Sequence, residues 1–181
     1  MTPPTITLGI WLVAGLSTLQ HLMYASVFYS PTAASLARRY HEQFINLSYA
    51  LKLDTIAYGI WSMLHVYGLP TVTTWRFYYG LALITFGAHL NYKVHQLLGR
   101  ARIYYGFELG VTARCWITAY PYSVFKHPQY LGAVLQIAGA CFVFGFSGDG
   151  SPRWEIHALT VYLSLLYHLT IQVEKKRLRF Y

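Results

Sequence analysis

The sequence is poor in charge, and above all in acidic residues. Only 6 of its 181 residues are Asp or Glu, and charged residues make up 11% of the chain, whereas hydrophobic residues make up 55%. Soluble domains carry about 25% charged residues, so this composition excludes an ordinary soluble domain and indicates a protein of the lipid bilayer.

Cysteine is also scarce. We expect no disulfide between Cys115, in a predicted loop, and Cys141, in a predicted helix.

A Gly-x-Gly-x-x-Gly segment at a strand-to-helix turn is missing as well, and no repeat, low-complexity tract or long Gly/Ser linker divides the chain. The missing glycine motif excludes a Rossmann dinucleotide fold. We therefore expect a single all-α domain over residues 1–181. Any nucleotide-like cofactor must be held by other means.

Long apolar runs, in contrast, are plentiful. Each is close to the ~20 helical residues that cross a ~30 Å hydrocarbon core. They span residues 6–28, 47–69, 75–98, 130–146 and 156–173. We predict a polytopic bundle of about five transmembrane helices, the first of them a mature helix rather than a signal peptide. The Gly- and Pro-containing segment 147–152 predicts a tight turn that makes the last two helices an antiparallel hairpin.

The basic residues predict how this bundle is oriented. When the five runs are threaded alternately with the amino terminus outside, all of the 14 Lys and Arg residues except Arg76 and Arg153 fall on one side. This positive-inside bias places the loop 99–129 and the carboxy tail in the cytosol. The basic residues are divided among loops and form no continuous arm, so we expect no nucleic-acid partner.

Polar residues interrupt two of the apolar runs, where a mid-membrane charge costs about 2.5 to 3.5 kcal/mol and usually faces a cavity or a partner. The third run has a polar stripe at helical spacing: His89, Lys93, Gln96 and Arg100. The second run has another: Asp54, Tyr58, Trp61 and His65. We interpret His89, Lys93 and Asp54 as candidate substrate-binding residues. Snorkelling of Lys93 and pairing of Asp54 with Lys52 or Lys93 are the structural alternatives.

The segment 118–132 differs from the rest of the chain because Pro121 and Pro128 forbid a continuous helix through it. Between and beside the prolines stand aromatic and basic side chains: Tyr120, Tyr122, Phe125, Lys126, His127 and Tyr130. Such a segment can anchor a protein at the membrane interface or form the wall of a pocket. We favour a pocket, because an acid, Glu174, follows one hydrophobic hairpin later. Gly132, Gln136 and Gly139 share a helical face, which predicts close helix packing.

This segment resembles the signature of membrane-embedded phospholipid N-methyltransferases and isoprenylcysteine carboxyl methyltransferases, a Pro-aromatic pair followed by His-Pro-x-Tyr-x-Gly. The upstream Tyr105-Gly-Phe-Glu-Leu-Gly110 and the aromatic Tyr120 are similar to the phosphatidylethanolamine N-methyltransferase branch. The resemblance covers about residues 80–181. Two positions depart from the family pattern. Lys126 stands where Arg is common, and Glu174 is a single acid where two adjacent acids are usual.

The resemblance implies a helical enzyme that holds S-adenosylmethionine between the cytosolic ends of its last helices. Carried over residue by residue, the cofactor site comprises Tyr120, Pro121, Tyr122, Lys126, His127, Pro128, Tyr130, Gly132 and Glu174. The implied reaction is N-methylation of an ethanolamine phospholipid, namely phosphatidylethanolamine or its mono- and dimethyl forms, without a metal. The partners are then the lipid substrate and the bilayer. The host is the endoplasmic reticulum membrane in a eukaryote or the inner membrane in a bacterium.

The residue types suit this chemistry. Methyl transfer from a sulfonium to an amine moves a positive charge, which aromatic faces tolerate at about 0.5 to 2 kcal/mol each. A carboxylate or imidazole can remove the proton of the amine, so His127, Glu174 and Glu108 are the candidate catalytic residues. We expect the lipid to enter sideways between the third and fourth helices and the cofactor to enter from the cytosol.

Three other functions stay open on the sequence alone. Carboxyl methylation of a prenylated cysteine is the nearest alternative, because the same signature serves both reactions. A haem-binding electron carrier is another, since four histidines lie within apolar runs: His21, His65, His89 and His168. A membrane scaffold without catalytic activity is the third.

Overall fold

The structure, a computed structural model, describes residues 4–70, 72, 74–113 and 117–178, with side chains for residues 8–70, 72, 74–113 and 117–175. Within these ranges the chain forms no strand and six helices: α1 (Pro4–Tyr29), α2 (Pro31–Arg39), α3 (His41–Tyr67), α4 (Trp75–Ile103), α5 (Pro128–Phe144) and α6 (Trp154–Leu178). The predicted all-α class is therefore confirmed. Cys115 lies outside the described residues, so the expectation about its pairing is not tested.

Each of the five apolar runs lies largely within one helix, and α2 is an addition that the apolar pattern did not predict. The start of α2 has a local signal, because the side chain of Ser30 accepts a hydrogen bond from the Ala33 amide at 3.2 Å and Pro31 occupies the first turn. A Ser-Pro pair at this position is a common helix start. The helix is short and ends in Arg38 and Arg39, so hydropathy alone misses it.

Two of the described helices are both long and apolar enough to cross a bilayer, over Leu8–Tyr29 and Trp154–Lys175. The apolar helix Pro128–Phe144 is shorter. Large apolar side chains point outward from these helices, such as Trp11 at 69% exposure and Leu165 at 55%. Exposed apolar surface of this extent is typical of contact with lipid. A bundle of about five spans is not confirmed.

Helices α4 and α5 touch along their backbones. A Cβ atom added to Gly87 would lie 2.4 Å from the Gly132 carbonyl oxygen, and one added to Gly139 would lie 2.5 Å from the Gly80 carbonyl oxygen. Both distances are shorter than any real contact, so only glycine permits this approach. The close packing predicted for the face of Gly132 and Gly139 is confirmed, and it leaves no space between the two helices at these levels.

Helices α5 and α6 form the predicted antiparallel hairpin. Their turn is closed by hydrogen bonds from the Ser147 amide to the Ser151 carbonyl at 2.9 Å and from the Arg153 amide to the Gly145 carbonyl at 2.8 Å. Between the two helices, Cys141 Sγ lies 3.4 Å from His157 Nδ1. The hairpin places the first turn of α5 beside the last turns of α6.

The end of α1, the start of α3 and the end of α4 meet at the same end of the bundle. The His41 ring Nε2 donates to the Tyr104 carbonyl at 3.0 Å, and the rings of Phe28 and Tyr105 pack edge to face at 4.9 Å. The start of α5 and the end of α6 join them there through Tyr130. Five helix ends therefore surround one polar region.

Candidate active site

The carboxylate of Glu174 is the centre of this region. It lies on α6, and its Oε1 atom accepts a hydrogen bond from the Tyr105 hydroxyl at 3.0 Å and a second, short one from the Tyr130 hydroxyl. Tyr105 follows the end of α4, and Tyr130 lies in the first turn of α5. Both donors use the same oxygen, so Oε2 makes no hydrogen bond within the described part of the chain. The carboxylate is held in place with one oxygen still able to accept.

His127 stands immediately before α5, whose first residue is Pro128. Its ring lies 6.4 Å from the ring of Tyr130, the residue that also binds Glu174. Its Nε2 atom is buried and has no hydrogen-bond partner among the described residues. Burial, with the charges of Lys175 and Lys126, lowers the pKa of His127 from its usual 6.5, so the ring is neutral at pH 7. A buried ring nitrogen without a partner is costly, and a ligand would remove that cost.

The turn that precedes His127 is compact. The Tyr122 amide donates to the Ala119 carbonyl at 2.9 Å and the Phe125 amide donates to the Pro121 carbonyl at 2.9 Å, while Pro121 is fully buried after a cis peptide bond. Burial raises the pKa of Tyr122 to about 12, and the nearby charge of Glu174 adds to the shift. Tyr122 is thus within electrostatic range of the carboxylate.

Tyr120, Lys126 and Gly132, which also belong to the predicted cofactor site, form no hydrogen bond with Glu174. Tyr120 is 40% exposed and its ring is 6.1 Å from that of His89. Lys126 is exposed, and its charge acts on His127. Gly132 lies against Gly87, which explains the requirement for glycine there by packing.

Glu108, the third candidate catalytic residue, lies in the turns after α4, on the exposed side of the loop. Burial of its carboxyl group raises the pKa above the usual 4.5, although the residue as a whole is exposed. Its charge acts on Glu174, but the two carboxyls share no hydrogen bond. The structure therefore places Glu108 beside the site without linking it to His127.

The substrate-binding residues predicted from the two stripes do not join this site. Gly99 has φ 68° and ψ 168°, which breaks α4, so the stripe prediction is wrong at Arg100. That guanidinium turns to α3, donates to Asn46 Oδ1 at 2.8 Å and covers the ring of Tyr49. Lys93 donates to Gln96 at 3.3 Å on its own helix.

Asp54 is likewise separate from the site. It is exposed on α3, and within the described residues no hydrogen bond or ion pair joins it to Lys52 or Lys93. His89 is exposed on α4 and contacts only the rim of the site through Tyr120. The assignment of His89, Lys93 and Asp54 to substrate binding therefore stays a prediction, without support from their positions.

Next to Tyr105 and Tyr130 lies an enclosed cavity of about 30 Å³, which we call the chamber. Its walls come from five helices and consist largely of tyrosine and other polar side chains: Gln20, His21, Tyr24, Lys52, Ile103, Tyr104, Tyr105, Gln129, Tyr130, Tyr167 and Thr170. Sequence reasoning missed most of them. The available signal was Lys52, a charge inside an apolar run, but on the sequence alone it is an orientation charge or a partner of Asp54.

The four histidines that suggested haem are dispersed over the bundle. His21 donates from Nδ1 to the Ser17 carbonyl at 2.7 Å, and His65 stacks on Trp61 at 5.2 Å. His168 is 3.3 Å from Gln172 on the same helix. His89 faces Tyr120. Each ring has its own protein neighbour, and these contacts do not form a paired axial site.

These features define a helical protein of membrane type with a polar, tyrosine-lined site at one end of its bundle. The model of the phospholipid methyltransferase family matches residues 75–180, and the chain therefore belongs to that family. The resemblance deduced from the sequence is confirmed. The matched region contains Glu174, His127 and the whole turn between the two prolines, but not α1, α2 or α3.

The chain is also similar to phosphatidyl-N-methylethanolamine N-methyltransferase of Arabidopsis thaliana, with 42% identity over 55 residues. This match covers 30% of the present chain and 33% of the relative, so the chain spans about a third of the length of that protein. No solved structure matches the chain.

Proposed function

We propose that this protein transfers methyl groups from S-adenosylmethionine to the amine of an ethanolamine phospholipid, either phosphatidylethanolamine or its mono- and dimethyl forms. The observation that carries the proposal is the meeting of Glu174 and His127 on either side of Tyr130, within the family-matched region. Both residues have hydrogen-bonding capacity that no described residue uses. The name of the Arabidopsis relative supports an N-methylated ethanolamine lipid as the acceptor.

The residues present fit the cofactor. Glu174 Oε2 would accept hydrogen bonds from the ribose hydroxyls or the amino group, and His127 Nε2 would gain the partner it lacks. Lys126 and Lys175 lie close enough to act on His127 electrostatically, and they would attract the carboxylate group of the cofactor. When bound, the cofactor supplies a methyl group on a positively charged sulfur.

The protein side of the reaction follows from the walls of the site. Tyr105 and Tyr130 lie at Glu174, and tyrosine rings can stabilise a moving positive charge without a counter-ion that would hold the substrate too tightly. The acceptor amine must first lose a proton. The lowered pKa of His127 keeps its ring unprotonated at pH 7, so Nε2 can either bind the cofactor or take that proton, but it cannot do both at once. The two hydrogen bonds that hold Glu174 would fix the position of the methyl donor.

We further propose that α3, α4 and α5 cross the bilayer together with α1 and α6, which gives five spans and a cytosolic active site. The contacts between helix ends support this alternate threading. At the end opposite the site, Arg76 Nη1 donates to the Gly150 carbonyl at 3.5 Å and Arg153 covers the ring of Tyr67 at 4.1 Å. The host would be the endoplasmic reticulum membrane in a eukaryote or the inner membrane in a bacterium.

Membranes that contain the protein, incubated with radiolabelled S-adenosylmethionine, test the reaction. We expect label in N-methylated ethanolamine phospholipids after lipid separation, and none with Glu174→Ala or His127→Ala at equal expression. Label that appears instead as an alkali-labile methyl ester on prenylated cysteine would replace the proposal with carboxyl methylation. Absence of both products from the unmodified protein would overturn the assignment.

A further inference from the structure

Lys52 is a charged side chain without a partner in the middle of α3. It is half-buried and lines the chamber together with Gln20, His21 and Tyr24. Within the described residues it makes no hydrogen bond and no ion pair. The acid nearest the chamber walls, Glu174, is not its partner, because that carboxylate receives its hydrogen bonds from Tyr105 and Tyr130. A lysine in an apolar helix is costly unless an anion or water meets it, so this position calls for an anionic ligand.

An apolar groove of about 130 Å³ lies between α1 and α6, directly beside the chamber. Aliphatic and aromatic side chains line most of it: Leu22, Ala25, Phe28, Leu166, Leu169 and Val173. The two helices that form it are the two that are long and apolar enough to cross a bilayer. A groove of this character is suited to a lipid acyl chain and not to a polar cofactor.

The groove and the chamber share a wall. His21, Tyr24 and Thr170 line both spaces, and the Tyr24 hydroxyl is held by the Gln20 side-chain amide at 2.6 Å. The chamber alone has room for little more than a water molecule. A headgroup that arrives along the groove would enter by displacing this wall, and it would then meet Lys52.

The route expected from the sequence is closed. Lipid entry between the third and fourth predicted helices would pass between α4 and α5, where Gly87 contacts Gly132 and Gly80 contacts Gly139 through their backbones. An acyl chain cannot pass through a contact that excludes even a methyl group. The groove between α1 and α6 instead leads to the wall of His21, Tyr24 and Thr170 that it shares with the chamber.

We propose that the groove between α1 and α6 and the chamber together form the phospholipid site, with the acyl chain in the groove and the phosphodiester on Lys52. The amine, two carbons beyond the phosphate, then lies among the tyrosines beside Tyr130. This inference rests on the proposed function. A cofactor carboxylate would also suit Lys52, but the residues implied in cofactor binding all fall between 120 and 174, whereas α3 lies outside the family-matched region.

Equilibrium binding of radiolabelled lipids to the purified full chain in detergent tests the phosphate contact. We expect Lys52→Gln to weaken binding of phosphatidylethanolamine about ten- to a hundred-fold, the loss typical of a hydrogen bond to a charged group. Binding of diacylglycerol, which lacks the phosphate, should stay unchanged. Lys52→Arg should retain phospholipid binding, and Arg39→Gln, which removes an exposed cation on α2, serves as the matched control.

Binding of S-adenosylmethionine by the same variants distinguishes the two anions. Its Kd should be the same for Lys52→Gln and the unmodified chain. A large rise in that Kd with unchanged phospholipid binding would assign Lys52 to the cofactor and overturn the proposal, as would unchanged binding of both ligands. Because the assay needs no turnover, an inactive but lipid-binding protein would count against the proposed reaction and not against this site.

Filling the groove tests the path. Ala25→Phe and Leu169→Trp each place a large side chain in the groove, and Leu169 is already 58% exposed, so its replacement leaves the core untouched. We expect both variants to weaken the binding of phosphatidylethanolamine and of diacylglycerol by about ten-fold. This is the affinity lost when about two methylene groups of the acyl chain are no longer buried. Ala57→Phe on the exposed face of α3 is the control. Equal lipid binding by all three variants would refute the groove.

Discussion

At the scale of single residues, Glu174 is held more firmly than an isolated acid. Two tyrosine hydroxyls from different parts of the chain donate to one of its oxygens. The sequence predicted the acid and Tyr130 as site residues through the family signature. It did not predict the role of Tyr105, because a hydroxyl 69 positions away is brought near only by the packing of α6 against the loop after α4.

Replacing Glu174 with glutamine keeps the shape of the side chain and removes its charge. We expect binding of S-adenosylmethionine to weaken by about 1.5 to 3 kcal/mol, because a charged acceptor is lost. Isothermal titration calorimetry of the purified variant measures this. Glu155→Gln, at the other end of α6, is the control and should bind normally. Equal affinity in both variants would remove Glu174 from the cofactor site.

His127 should titrate below 6.5, because burial and the charges of Lys175 and Lys126 all disfavour its protonated form. The unfolded chain then binds the proton more readily, so the contribution of His127 to folding stability falls as the pH drops through 6.5. Lys175→Gln removes one of the opposing charges and should raise the pKa of His127.

Nuclear magnetic resonance of the histidine-labelled protein in detergent follows this titration, with His127→Gln to assign the signal. An unshifted ring in the unmodified protein, titrating at 6.5 or above, would contradict the buried environment. An unchanged pKa in Lys175→Gln would show that Lys175 has no part in the shift, which burial and Lys126 would then set.

At the scale of helices, hydropathy located five elements correctly and missed features that depend on backbone geometry. The stripe on α4 was extended to Arg100 because periodicity assumes a straight helix, whereas Gly99 adopts a positive φ and turns the following residues toward α3. Small residues at helical spacing were a better guide. They predicted the face through which α5 packs, although its partner, α4, could be identified only from the structure.

The contact between α4 and α5 should be intolerant of side chains. Gly87→Val places atoms where the Gly132 carbonyl oxygen lies, 2.4 Å from the new Cβ, and should destabilise the fold by about 1 to 3 kcal/mol or more. Thermal unfolding in detergent measures the change. Gly15→Ala on α1 meets no atom within 4 Å and should leave the unfolding temperature unchanged or raise it. A Gly87→Val variant as stable as the unmodified protein would disprove the backbone contact.

At the scale of the whole molecule, the helix ends sort into two groups. One group surrounds Glu174. In the other group, Arg76 of α4 contacts Gly150 in the turn between α5 and α6, and Arg153, which ends that turn, covers Tyr67 at the end of α3. The charge distribution predicted this arrangement, because basic residues are rare at only one of the two ends. The lipid path was not predictable in the same way, since a groove between α1 and α6 depends on which helices become neighbours.

The proposed orientation can be checked with single cysteines introduced into a chain in which Cys115 and Cys141 are serine. Val124 is 66% exposed in the turn beside the site, and Ser151 is exposed in the turn between α5 and α6. In spheroplasts of a bacterial host, an impermeant maleimide should label Ser151→Cys at once and Val124→Cys only after permeabilisation. In sealed microsomes, whose cytosolic face points outward, the order should be reversed. Labelling of both from the same side would rule out the alternate threading.

The two tyrosines that hold Glu174 flank the connection between α4 and α5, one before it and one after it. A single oxygen atom therefore fastens both ends of this connection, whose described residues, 106–113 and 117–127, form no regular helix. Any ligand that stabilises this carboxylate also stabilises the attachment of both ends of the connection, so occupancy of the site and resistance of the connection to proteases should rise together.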